Sequence, residues 1–198
     1  MSRAWPSPSA ALHLIRATTT SAHQALEAAL AIARPDAGDD TYTRYLEAWL
    51  GVLEPLEEPL WASPWPAEVD PSARAGKAEW VKADLAARGR SERDLRAIPR
   101  QRSLPPLASE PERFGVAYVI EGSSLGGQVL LRRLLPRLET KAARFLEGYR
   151  REASAKWRAF VSALGASLRD PRDAEAAAES ARATFAGIHA WFAQRGVA

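Results

Sequence analysis

Tyr118-Val-Ile-Glu-Gly-Ser-Ser-Leu-Gly-Gly-Gln-Val-Leu-Leu131 places three glycines, Gly122, Gly126 and Gly127, in the middle of strongly helical flanks. Just upstream, Ser109-x-x-Glu112 is a capping box, so the apolar segment from Phe114 to about Leu135 reads as one long helix. A glycine in a helix interior costs ~1 kcal/mol relative to alanine. Three amount to ~2–3 kcal/mol, a large part of a typical domain's stability. Bare backbone must therefore be required there. Another helix packing closely on the Gly122-x-x-x-Gly126 edge would require it. So would a flat ligand pressed against the backbone, with the helix kinked to admit a small molecule. Both can hold at different points of the segment.

Working outward, every other segment also reads as helix. Leu12, Ile15, Thr19, Leu26 and Leu30 recur at one helical face. They predict a first helix from about Ser9 to Ile32, ended by Arg34-Pro35 and Gly38. A second helix starts near Asp40 as N-cap and carries Tyr42, Tyr45, Leu46, Trp49 and Leu53, with Pro55 and Pro59 expected to kink or stop it. After a Pro-rich connection (Ser63 to Pro66), Asp70-Pro71 opens a third helix that Gly89 closes. Residues 91 to 97 form a short helix before the basic, Pro-rich loop Pro99 to Pro106. Beyond the glycine segment, a helix over roughly 140–164 carries Phe145, Tyr149, Trp157, Phe160 and Leu164. Asp170-Pro171-x-Asp173 starts the last helix, whose buried stripe is Ala181, Phe185, Ile188 and Phe192. The expected fold class is all-α, a single domain over 1–198 with about seven helices.

Composition narrows the chemistry. The 198 residues contain no cysteine, which excludes disulfides, thiolate ligands and iron–sulfur sites. Any metal must be held by histidine, carboxylate or other oxygen ligands, and the histidines are His13, His23 and His189. The net charge of +3 is a mild basic bias, suited to an anionic ligand or an acidic partner but too weak to argue for nucleic acid. No apolar run approaches the ~20 residues of a membrane span, and Met1 to Pro6 lacks the apolar stretch of a signal peptide. The expectation is a cytoplasmic protein with no membrane contact.

His23 lies four residues after Thr19 and three before Leu26, so its ring projects from the apolar face of the first helix. It is either a hydrogen-bonded core histidine or a metal ligand. Glu27 at i+4 can reach the imidazole, fix its tautomer and aim the other nitrogen at a metal. Arg16, two turns before His23 on the same side, could meet an acidic group at the edge of a macrocycle; otherwise it is a solvated surface arginine. His189 reads as structural, and His13 as exposed. The run Arg132-Arg133…Arg137…Lys141…Arg144 reads as a solvated face, with docking of an acidic partner as its other use. Together, the histidine with its carboxylate and the glycine-broken helix describe two walls of a haem pocket, one supplying the iron ligand and the other leaving space for dioxygen.

Leu14-Ile-Arg-Ala-Thr-Thr-Thr-Ser-Ala-His-Gln-Ala-Leu-Glu27 and Glu121-Gly-Ser-Ser-Leu-Gly-Gly-Gln-Val-Leu130 resemble the proximal and distal helices of the haem oxygenase family, particularly its bacterial, bacteriophytochrome-associated branch. The resemblance covers most of the chain and extends to Gly148-Tyr149, Trp157, Phe160 and Thr184-Phe185. It implies haem sandwiched between the two helices as both cofactor and substrate. His23 would be the iron ligand, Glu27 its hydrogen-bonding carboxylate and Arg16 a propionate partner. Gly122 and Gly126 would lie over the iron, with Gly127 beside the ring. It further implies opening of haem to biliverdin with dioxygen and an external donor, a ferredoxin or flavodoxin, and a bacteriophytochrome as a partner. A carrier of haem or biliverdin without turnover is the alternative. Two departures stand out. Ser123 occupies the position where animal-type members have an aspartate that organises protons. The family's second set of propionate-binding residues does not map cleanly, leaving Lys156 and Arg158 beside Trp157 as candidates.

Overall fold

The computed structural model describes residues 10–198, and all regular structure among them is helical. Eight α-helices follow in order: α1 Ala10–Ala29, α2 Asp39–Trp61, α3 Lys77–Ala87, α4 Glu92–Ala97, α5 Glu110–Leu134, α6 Arg144–Glu147, α7 Ala153–Ser167 and α8 Pro171–Gln194. Seven have six or more residues and α6 is a single turn. Ser9, the expected start of the first helix, and the opening Met1–Pro6 lie outside the described residues. α8 is the central packing element, lying along both α1 and α5. Close approach of α5 to α8 depends on Gly115, where a Cβ would stand 2.8 Å from Ser180 Cβ and 2.9 Å from the Ala181 nitrogen.

Local chemistry sets the starts of three helices, α4, α5 and α8, as expected. Ser109 and Glu112 form the reciprocal capping box at the start of α5, and Asp170 accepts from the Arg172 N–H at the start of α8. Ser91 and Asp94 make a second capping box at α4. Elsewhere, contacts from distant residues override the local signal. α1 ends at Ala29 rather than Ile32, and Ala31–Ala33 forms a 3-10 turn whose Ala31 N–H donates to Val197 O. α2 is capped by Gly38, not Asp40, and it continues through Pro55 and Pro59 to Trp61. Pro55 has no N–H for the Gly51 carbonyl four residues earlier. That carbonyl accepts instead from the Gln101 N–H at 2.9 Å, tying the Pro-rich loop to the helix.

The third helix begins at Lys77 instead of following Asp70-Pro71, which forms only a 3-10 turn. Glu57 of α2 fixes the later start by accepting from the N–H groups of Gly76, Lys77 and Ala78 at 3.3, 2.7 and 3.0 Å. The helix expected over 140–164 is divided. Gly148 and Arg150 adopt φ of +54° and +51°, which an α-helix cannot contain, so α6 and α7 are separate. Asp84 accepts from the Arg144 and Phe145 N–H groups and so caps α6 from α3.

α5 with its following turn, Glu110–Arg137, is long and apolar enough by length and mean hydropathy to cross a bilayer. In the fold it is a core helix, packed against α8 and carrying Glu121 into a buried ionic cluster.

A cavity between an imidazole and bare helix backbone

α5 runs unbroken through all three glycines, so they thin the helix without ending it. The two explanations for them divide between positions. At Gly127 a Cβ would meet Leu146 O at 3.2 Å and Leu146 Cα at 3.5 Å, so this glycine admits the backbone of α6. At Gly126 nothing lies within 4 Å of that position, and at Gly122 only the ring edge of Trp157 does, at 4.0 Å. Neither residue is close-packed by another helix. Both border a cavity of about 480 Å³ that Gly127 and Ser123 also line. That volume lies within the range of small-molecule and cofactor sites.

The opposite wall is α1. Thr19 turns its hydroxyl onto Ile15 O at 2.7 Å, which satisfies it on the buried face of the helix. One turn later His23 lines the cavity with half of its side chain exposed, so it is not a sealed core histidine. Its Nδ1 lies 3.5 Å from Glu27 Oε2. Its ring stands edge-on to Phe185 of α8, with centroids 5.4 Å apart. The carboxylate thus lies on the Nδ1 side of the imidazole, and the aromatic ring stands at its edge. The floor is aromatic and aliphatic: Tyr45 and Trp49 of α2, with Phe185 and Ile188 of α8. Tyr118 and Trp157, whose ring centroids are 5.6 Å apart, also line the cavity.

Ser123 donates to Ile120 O at 2.8 Å, so its hydroxyl proton is directed back along its own helix while its lone pairs remain available. The cavity brings together His23, Glu27, Gly122, Ser123, Gly126 and Gly127. Arg16, Lys156 and Arg158 are not among its lining residues. Arg16 and Arg158 are exposed. The Lys156 ammonium lies 5.2 Å above the Tyr149 ring. Arg133 does line the cavity, although as sequence it read as part of a solvated basic face. Its spacing of seven from Gly126, two helical turns, is the signal that places both on one side of α5.

Behind the glycine wall is a buried ionic cluster that sequence reading missed. Glu121 pairs with Arg74 through Oε2 and with Lys77 through Oε1, the latter at 2.8 Å, and all three side chains are buried. Tyr149 Oη donates to Glu121 Oε1 at 2.8 Å and accepts from Lys77 at 2.7 Å. Burial alone would raise the Glu121 pKa, but the adjacent Lys77 and Arg74 charges outweigh it and hold the carboxyl below its ordinary range. Burial and the neighbouring Glu121 charge push the Tyr149 phenol up, so it stays protonated.

The family model described as Heme oxygenase matches residues 9–194. This chain belongs to the haem oxygenase family. A curated relative, "Heme oxygenase" of Xanthomonas campestris pv. campestris (strain 8004), is 39% identical over 87 residues. That match covers 43% of this chain and 52% of the relative, so it spans about half of the relative's length. The all-helical arrangement is consistent with the fold of that family, and the cavity lined by α1 and α5 is the candidate site. Among the described residues, no three His, Asp or Glu side chains converge to cage a bare ion.

Proposed function

We propose that this chain binds haem between α1 and α5 and opens it oxidatively to biliverdin, releasing carbon monoxide and ferrous iron. The carrying observation is the open space at Gly122 and Gly126 beside a cavity that His23 also lines. Side chains at those two positions would fill the cradle, and bare backbone leaves room for a flat ring with a small molecule above it. When bound, haem supplies the iron that activates dioxygen and the ring that is cut.

The chain's own part is to bind and orient. His23 would hold the iron through Nε2, with Glu27, 3.5 Å from Nδ1, favouring that orientation of the ring. As a ligand, an imidazole would donate less electron density to the metal than a thiolate would. Gly122 and Gly126 confine the space over the ring, and Gly127 mainly lets α6 approach. Ser123 supplies no negative charge where animal-type family members have aspartate. Protons reach the site through ordered water held by its hydroxyl oxygen and by helix carbonyls. Electrons come from an external donor, a ferredoxin or flavodoxin in this reading, and a bacteriophytochrome is the bilin's destination.

The test is haem reconstitution followed by reductant and oxygen. The Soret band is expected to give way to a bilin spectrum, and His23→Ala to alter the haem spectrum and abolish normal ring opening. An absent Soret shift, or an equally active His23→Ala protein with unchanged spectra, overturns the proposal. Haem absorption that persists through turnover conditions identifies a carrier instead.

A further inference from the structure

Glu121, Ser124 and Gln128 recur on α5 at steps of three and four, and none of them lines the cavity. Each meets one short segment, residues 145–150, made of the end of α6 and the turn that follows it. Tyr149 Oη donates to Glu121 Oε1 at 2.8 Å. A Cβ on Gly148 would stand 3.3 Å from both Ser124 Cβ and Ser124 O, so bare backbone lies against α5 there. Gln128 Nε2 donates to Arg150 O at 3.0 Å, and Leu146 backs onto Gly127. The segment is itself fixed. Asp84 accepts from the Phe145 N–H at 2.9 Å. Arg150 keeps a φ of +51°, which a non-glycine residue holds only where its surroundings over-determine it. Phe145 also reaches the cavity floor, with its ring centroid 5.6 Å from that of Trp49. One strap thus joins the floor of the cavity to the back of its bare wall.

We infer that Tyr149 is a positioning residue: through Glu121, its phenol sets how close Gly122 and Gly126 stand to a ring held on His23, and so how large a molecule fits between. This inference rests on the haem reading above and deepens it. A wall of glycines has no side chains of its own to lean on what it covers, so its position must be set from behind. Of the bonds between strap and helix, the one from Tyr149 to Glu121 has a charged acceptor, the stronger kind, and it meets α5 one residue from Gly122. Lys77 and Arg74 hold the same carboxylate from another side. Loss of the phenol hydroxyl therefore loosens the wall without leaving Glu121 unpaired.

The probes are methyl isocyanide and tert-butyl isocyanide, which bind ferrous haem end-on and differ only in the bulk they place above the ring. Tyr149→Phe keeps the aromatic ring against Trp80 and beside the Lys77 ammonium, and Lys77 retains Arg74 O and Glu121 as acceptors. In this variant the tert-butyl to methyl affinity ratio is expected to rise about threefold to tenfold, part of what overpacking a rigid site costs. Gln128→Leu, which cuts the strap's other side-chain bond, should move the ratio in the same direction. Ser109→Ala weakens α5 at its N-cap, away from the strap, and is the control. Thermal melts set the stability losses side by side, and the control's ratio should stay at the wild-type value. An unchanged ratio in Tyr149→Phe, with haem bound as in wild type, overturns the inference and leaves the haem reading intact. So does an equal rise in Ser109→Ala, which would make the effect one of general stability. A wild-type protein that binds no haem takes down the haem reading and this inference with it.

Discussion

Glu121 and Gly122 are neighbours on α5 that face different interiors: the carboxylate is buried between Arg74 and Lys77, while the glycine borders the cavity. The polar anchor and the bare wall are thus one peptide bond apart. Glu121→Ala would leave two buried cations without their shared carboxylate and is expected to destabilise the fold by about 3–5 kcal/mol. Urea unfolding at neutral pH measures it. A loss below about 1 kcal/mol would mean that the cluster is not what holds this segment.

The same carboxyl predicts a pH dependence. Its folded-state pKa is below its ordinary value, so its stabilisation is fully present above the unfolded carboxylate pKa of about 4.3 and is lost as pH falls through the lower folded value. The urea midpoint should fall with acid more steeply below about pH 4.3 in wild type than in Glu121→Gln. Parallel acid profiles for the two proteins would remove Glu121 from the explanation.

Two glycines of α5 should respond to alanine with opposite signs. Gly126→Ala adds a methyl group that meets nothing within 4 Å, so the gain in helix propensity should stabilise the protein by about 0.5–1 kcal/mol. The same methyl enters the cavity and should weaken haem binding. Gly115→Ala drives its methyl into Ser180 and the backbone of α8 and should cost about 1–3 kcal/mol. Thermal melts of both variants, with a haem titration of the first, give the comparison. Matching shifts would refute the division of roles.

Glu27→Gln keeps the shape beside His23 Nδ1 but removes the charge. Support of this kind affects metal affinity or activity by about 10–100-fold, and the 3.5 Å separation and exposed setting place Glu27 at the lower end. Turnover is expected to fall about tenfold, with a lower iron–histidine stretching frequency in the ferrous haem complex. An unchanged frequency would show that Glu27 does not act on the ring.

Helices were legible where the signal is local. Ser109 with Glu112 and Asp170 with Pro171 are complete start signals within four residues, and both helices begin there. Boundaries set by distant groups were not legible. Glu57 decides where α3 begins from about twenty residues away, and Asp84 caps α6 from sixty. The apolar pattern from Phe145 to Leu164 continues across Gly148 and Arg150 and hides the break that their positive φ makes. In the candidate site, His23 with Glu27 on α1 and Gly122 with Gly126 on α5 could be read because each pair's spacing along its own helix is itself the geometry. Arg133 and Arg34 could not be read together, since only the packing of α5 against the 3-10 turn that follows α1 brings them to one pocket.

α8 contributes an aromatic floor but no residue proposed to touch the iron, yet it separates the helix bearing the imidazole from the helix bearing the bare backbone. The thickness of the slot is therefore written in a third helix, through small residues such as Ala177 and Ser180 under Gly115 and a large one, Phe185, under His23. Swapping bulk at those positions would re-gauge the slot while every ligand-facing side chain stayed the same. Sequence drift far from the chemistry would thereby become a dial on what fits inside.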